Sequence, residues 1–184
     1  MKLAAEGGYD AVQMREIARL SEMSLHTLYR YYPSKDDIIL IASTAEVERL
    51  RLDVISRPPS GKTPGDRAAT ALMRAFRVLH DNRGFAHAVA TCYHVPAAFN
   101  PEFDDEATQG PDFGKFEEVV ALATWGPDHL ITREQQMALR ALSSVFVTAL
   151  ISWLNGTLGQ KAIGEQFSFA AHRLIDLPAE DRTA

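Results

Sequence analysis

The sequence predicts an all-α protein in two parts, a small basic head followed by a larger acidic helical body. Three observations carry this. Apolar residues recur with the helical period along most of the chain, no Asn-Gly or Asp-Gly turn joins alternating apolar runs, and Pro58, Pro59, Ser60, Gly61 and Pro64 interrupt the periodicity. At 184 residues, with 46% hydrophobic and 23% charged residues, the chain can bury a core without a disulfide or a metal. The longest apolar run, 145–154, is broken by Thr148 and Ser152 and falls short of the roughly 18 residues of a membrane span, so none is expected. The lone Cys92 excludes an internal disulfide and a multi-cysteine zinc site. With no long apolar stretch in MKLAAEGGYD, it predicts a reducing, cytoplasmic setting.

Met14, Ile17, Ala18 and Leu20 fit a short helix, Leu25, Leu28 and Tyr29 a second, and Ile38, Ile41, Ala42, Ala45 and Leu52 a third, longer one. The Pro/Gly/Ser cluster then marks the boundary between a domain over 1–52 and a second over 53–184. Beyond it, Asp66 is placed to cap a helix through Leu72, Phe76 and Leu79 that ends near Asn82 and Gly84. A helix over 85–94 stops before Pro96, and residues 100–114 read as a loop. Helices are expected over 113–124, 133–155 and 163–174, the second opened by a capping box of Thr132 and Gln135.

Net charge is −5, which alone argues weakly against nucleic acid, but the charge is polarised: residues 12–35 carry +2 and residues 58–184 carry −4. Two short helices joined by a tight turn and followed at once by a longer helix form a helix-turn-helix candidate. Such a unit lays its second helix in the major groove. That helix would begin at Ser24, whose hydroxyl can cap free amides, and would present Leu25, His26, Thr27, Tyr29, Arg30 and Tyr31, with Leu28 turned into the core. Pro33 ends it, Ser34 can cap the next helix, and Lys35 is expected at a phosphate-binding corner.

These residues resemble the DNA-binding region of TetR-family transcriptional regulators. The likeness rests on GGYDAVQMREIA and TLYRYYPSKDDII: Gly8 and Tyr9, Ile17 and Ala18, Thr27, Leu28, Tyr29 and Tyr31, and Lys35 after Pro33 and Ser34. It covers residues 1 to 45, and GGYDAVQMR with TLYRYYPSK is further similar to actinobacterial repressors of sterol and lipid catabolism. Two departures stand out. The sequence opens at what would be the middle of the family's first helix, and Glu22 occupies the turn position where the family has glycine. A positive φ there would cost a non-glycine residue about 1 kcal/mol or more.

For the body, the resemblance implies a small-effector pocket and a twofold dimer. Met73, Phe76, Phe85, Val89, Tyr93, Phe113, Phe116, Val120 and Phe146 are the candidate apolar lining, at helical spacing that equally suits a core. Leu142, Val145, Ala149, Leu150, Trp153, Phe167, Ala170, Ala171 and Leu174 are the candidate dimer face, pairing as a four-helix bundle. The implied function is a homodimeric repressor on double-stranded operator DNA, released by an apolar effector such as a steroid or acyl thioester, whose head Arg74, Arg77 or Arg83 would meet. No cofactor is implied. His87, Cys92 and His94 are poorly spaced for zinc, and the acidic run 102–106 lacks the order of a calcium loop. The alternatives are a helical interaction module, or an enzyme using Cys92 with His87 or His94.

Overall fold

The computed structural model describes residues 2–94 and 114–176. Phe113 and residues 100–113 of the expected loop, with the side chain of His94, lie outside the described residues. Those described form nine helices and no strand: α1 (Lys2–Ala11), α2 (Met14–Leu20), α3 (Leu25–Tyr31), α4 (Lys35–Ser56), α5 (Pro64–His80), α6 (Arg83–His94), α7 (Gly114–Trp125), α8 (Arg133–Leu154) and α9 (Gln160–Ile175). They divide into two compact units, one from 2–46 with 79–94 and the other from 47–78 with 114–176.

The first unit is held by two apolar clusters. Met14, Ala18 and Leu28 bury together at the α2–α3 crossing. Ala4, Val12 and Ile39 bury with Phe85, Ala88 and Val89 of α6. Periodicity shows that α6 has an apolar face but not which helices that face will choose, so the inclusion of α6 in this unit is a tertiary result. Helix α1 breaks at Gly7 and Gly8, where Gly8 adopts φ 67° and ψ −153°, backbone open essentially to glycine alone. The break redirects the chain so that the Tyr9 hydroxyl donates to Asp36 Oδ1 at 2.8 Å.

Helix starts follow local chemistry. Ser34 and Asp37 cap α4 reciprocally: Asp37 N donates to Ser34 Oγ at 3.2 Å and Ser34 N to Asp37 Oδ2 at 2.9 Å. Helix α4 therefore starts before the periodic stretch 38–52, and it also runs on past it to Ser56. Helix α5 opens with Pro64 in its first turn, where the missing N–H costs nothing. Its cap is Thr63 rather than the expected Asp66, whose carboxylate instead reaches back to the amides of Thr63 and Lys62 at 3.0 and 2.9 Å. The Thr132–Gln135 box at α8 forms as expected.

In the second unit the aromatics pack on one another. Phe116 meets Phe146 at 4.9 Å between centroids, Phe146 stacks on Phe167 at 5.6 Å, and Phe76 stands edge-on to Phe167 and Trp153 at 6.3 and 5.4 Å. Each such pair contributes about 0.5–1.5 kcal/mol beyond its buried area. By length and composition α8 is apolar enough to cross a membrane, which the run 145–154 alone did not show. Leu139, Leu142, Phe146, Ala149 and Leu150 along it are buried within the protein, as in a core helix.

Candidate nucleic-acid interface

Helix α2 ends in a Schellman turn: Met23 N donates to Ala18 O at 2.9 Å and Glu22 N to Arg19 O at 3.4 Å. The residue in the left-handed position is Glu22, at φ 55°, the one non-glycine residue with positive φ among the described residues. The strain expected for a side chain in this turn is therefore present. Ser24 follows in extended conformation and its Oγ accepts from Thr27 N at 3.0 Å, with the two hydroxyls 2.8 Å apart. Both are exposed or half-exposed, so they fix the start of α3 while remaining at its surface.

Along α3 the exposed side chains are His26, Tyr29, Arg30 and Tyr31, with Tyr29 at 49% and Tyr31 at 61% exposure. Leaving two large aromatics this open has no benefit for the fold and suits contact with another surface. Arg30 lies over the Tyr31 ring at 5.1 Å and donates from Nη2 to its hydroxyl at 3.3 Å, giving one charged, planar head. Leu25 differs from the expectation: it packs half-buried on Met14, Ala18 and Leu28, because the first turn of α3 must close the small core of the motif.

Lys35 opens α4, the expected position, and its side chain turns to Tyr9. Its Nζ lies 3.6 Å from the centroid of the Tyr9 ring and donates to Tyr9 O at 3.1 Å, holding the glycine break against the start of α4. Tyr9 and Asp36 were not singled out as a pair by sequence, since 27 residues separate them. Hydrogen bonding to the Asp36 carboxylate, with burial, raises the Tyr9 phenol to about 12. Burial first, then the same carboxylate, pushes the Cys92 thiol up to about 12. A thiol so held is a poor nucleophile. Arg15 and Arg19 add exposed positive charge on α2, Arg19 being paired with Glu16 at 2.9 Å.

The candidate ligand residues are not gathered in one place. Phe85, Val89 and Tyr93 pack in the first unit, whereas Phe76, Phe116, Val120 and Phe146 are buried in the second. Met73 lines an open groove of about 700 Å³ with Thr70, Arg77, Gly164 and Ser168. Arg74 donates to Asp53 Oδ2 at 3.1 Å and to Arg57 O at 2.6 Å, so it is committed within the protomer. Of the candidate dimer residues, Leu142, Ala149, Leu150, Phe167, Ala170 and Ala171 are buried in the chain's own core, while Val145, Trp153 and Leu174 keep exposed surface. Phe169, one position from a named residue, is 66% exposed. The period identifies an apolar helix but assigns its faces only to within a residue or two.

A tight-turned pair of helices, its second member capped, rigid and presenting Tyr29, Arg30 and Tyr31 to solvent, defines a helix-turn-helix DNA-binding regulator. Residues 1–42 match the family described as bacterial regulatory proteins, tetR family. The chain is 29% identical over 154 residues to the HTH-type transcriptional repressor KstR of Rhodococcus jostii, spanning 84% of this chain and 68% of that one. It is 27% identical over 177 residues to KstR of Mycobacterium tuberculosis, spanning 95% and 76%. A crystal structure of a TetR transcriptional regulator from Rhodococcus sp. RHA1 shares the fold at TM-score 0.78 and 26% identity, covering 95% of this chain and 90% of that one. The chain carries the DNA-binding domain of the TetR family of transcriptional regulators over residues 1–42 and is similar along most of its length to these actinobacterial repressors.

Proposed function

We propose that this protein is a cytoplasmic homodimeric repressor that binds operator DNA through α3 and is released by a large apolar effector of the steroid or acyl-thioester class. The observation that carries the DNA reading is the open array of His26, Tyr29, Arg30 and Tyr31 on a capped helix. Tyr29, Tyr31 and Arg30 would hold phosphates or base edges, and the Lys35–Tyr9 contact would brace the helix that follows. Val145, Trp153, Leu174 and the neighbouring Phe169 supply surface for a twofold pairing of α8 and α9. Such pairing would set two recognition helices roughly 34–36 Å apart, one turn of DNA.

The KstR relatives are named repressors, which supports repression over activation. For release, an effector seated in the open groove that Thr70, Met73 and Arg77 line along α5 would tilt α4, a single helix from Lys35 to Ser56. A coupling of about 1–3 kcal/mol changes DNA affinity some 5- to 150-fold, and operator DNA must weaken effector binding by the same factor. The test is a gel shift on DNA flanking its own gene across a salt series, followed by calorimetry of steroid and acyl-thioester panels with and without that DNA. Absence of a salt-dependent complex refutes the DNA reading. A ligand that binds equally in both conditions is not the releasing effector.

A further inference from the structure

Helix α9 ends against the start of α5 in a cluster that the DNA and effector readings do not use. Both ring nitrogens of His172 face acceptors: Nδ1 lies 2.6 Å from Ser168 O and Nε2 lies 3.1 Å from Asp66 Oδ1. A neutral imidazole has one N–H and one lone pair, so it can donate to only one of these oxygens. The imidazolium donates to both. Asp176 Oδ2 lies 3.9 Å from Nε2, and Asp176 is itself fixed by Thr63 Oγ1 at 2.7 Å and Gly65 N at 2.8 Å.

The two helices meet this closely because residue 65 is glycine. A Cβ there would lie 2.9 Å from Asp176 Cγ and 3.1 Å from His172 Cα. His172 also stands in the last turn of α9, where the helix carbonyls favour a cation. The nearby arginines point elsewhere, Arg67 to Thr124 O and Gly61 O, and Arg173 over the Phe169 ring. Lys62 lines the groove beside Asp66 and gives that carboxylate its backbone amide.

We propose that His172 is a proton-operated clasp that tightens the join between the C-terminal turn of α9 and the N-terminal turn of α5, which Asp176 also holds, and that it loosens when the ring loses a proton and gives up one of its two donors. The Ser168 carbonyl first, then Asp66 and Asp176, raise the His172 pKa above its ordinary value, against burial. The Asp66 carboxyl is held below the usual range, foremost by the Thr63 amide, so it stays ionised throughout. Because the folded value is the higher one, the clasp is closed below about 6.5, where the unfolded histidine titrates, and is lost as pH rises through the folded value.

The experiment compares wild type, His172→Gln and Asp66→Asn by thermal unfolding at about pH 6 and about pH 9, with proton NMR titration of the histidines. His172→Gln, which lacks one resonance, assigns the His172 signal. Wild type should melt several degrees above His172→Gln at the lower pH, with the gap closing at the higher one, whereas the gap to Asp66→Asn should narrow but persist because Asp66 also holds the Thr63 and Lys62 amides. Amides of 172–176 should exchange faster at the higher pH after correction for intrinsic rates, and the His172 midpoint should fall in Asp66→Asn. A melting gap independent of pH, or a His172 midpoint at or below that of an exposed histidine, overturns the clasp. If His172→Gln does not fold, Asp66→Asn decides alone: the one histidine resonance whose midpoint falls in it is that of the ring beside Asp66, and no such fall overturns the clasp.

Discussion

Replacing Glu22 by glycine should stabilise the protein, although it removes a side chain and adds no contact. Glu22 holds the left-handed position of the Schellman turn at φ 55°. An L-residue there costs about 1–2 kcal/mol relative to the right-handed region. Glycine removes that cost but makes the unfolded chain more flexible, by about 0.5–1 kcal/mol. The net gain is about 0.5–1 kcal/mol, a rise in melting temperature of roughly 1–4 °C for a chain of this size. Glu22→Ala is the control, because it removes the same exposed carboxylate and keeps the Cβ. It should stay within about 0.5 kcal/mol of wild type, as surface changes away from special backbone do. Urea unfolding of all three proteins measures this. Equal stability of the glycine and alanine variants would refute the strain argument. Both variants should bind DNA more tightly than wild type, since each takes a negative charge from a motif that faces phosphates. Tighter binding in both with stabilisation only in Glu22→Gly would separate the charge effect from the backbone effect.

Arg30→Ala should weaken binding to all sequences about equally and lower the slope of log K against log salt by about one; an unchanged slope would place Arg30 away from phosphate. Phe167→Ala, at the junction of Phe76 and Phe146, should cost about 3–5 kcal/mol in urea unfolding, and a loss below about 1 kcal/mol would show that the aromatic cluster is not packed as described. Cys92, with its thiol near 12, should react with iodoacetamide at neutral pH about fiftyfold more slowly in the folded than in the unfolded protein, allowing for the greater nucleophilicity of a more basic thiolate. Equal rates would contradict its burial beside Asp36. If α9 pairs across a twofold axis, Phe169→Glu should shift sedimentation toward the monomer, and a wild-type monomer at micromolar concentration would remove the dimer from the proposal.

The sequence by itself determined the features that depend on neighbours along the chain. The glycine-type turn at Glu22 was legible only through the family resemblance, whereas apolar spacing within one helix and the Ser24 and Thr132 caps involve residues no more than a few positions apart, so composition and period reveal them. The exposed set on α3 was legible for the same reason, apart from Leu25, whose inward turn depends on Met14 and Ala18 across the motif. Only the tertiary structure decided what long-range approach creates. Tyr9 with Lys35 and Asp36, Cys92 beside Asp36, and His172 with Asp66 join residues 26 to 106 positions apart, and nothing local marks them as pairs. The aromatic faces of α5, α7, α8 and α9 likewise read as lining, core or dimer surface with equal ease. Their division follows from volume. Phe76, Phe116, Phe146 and Phe167 fill the space between helices of a single chain, which leaves Phe169 and part of Trp153 and Leu174 outside. A helical period fixes which residues share a face, but the choice of what that face meets belongs to the packing of the whole unit.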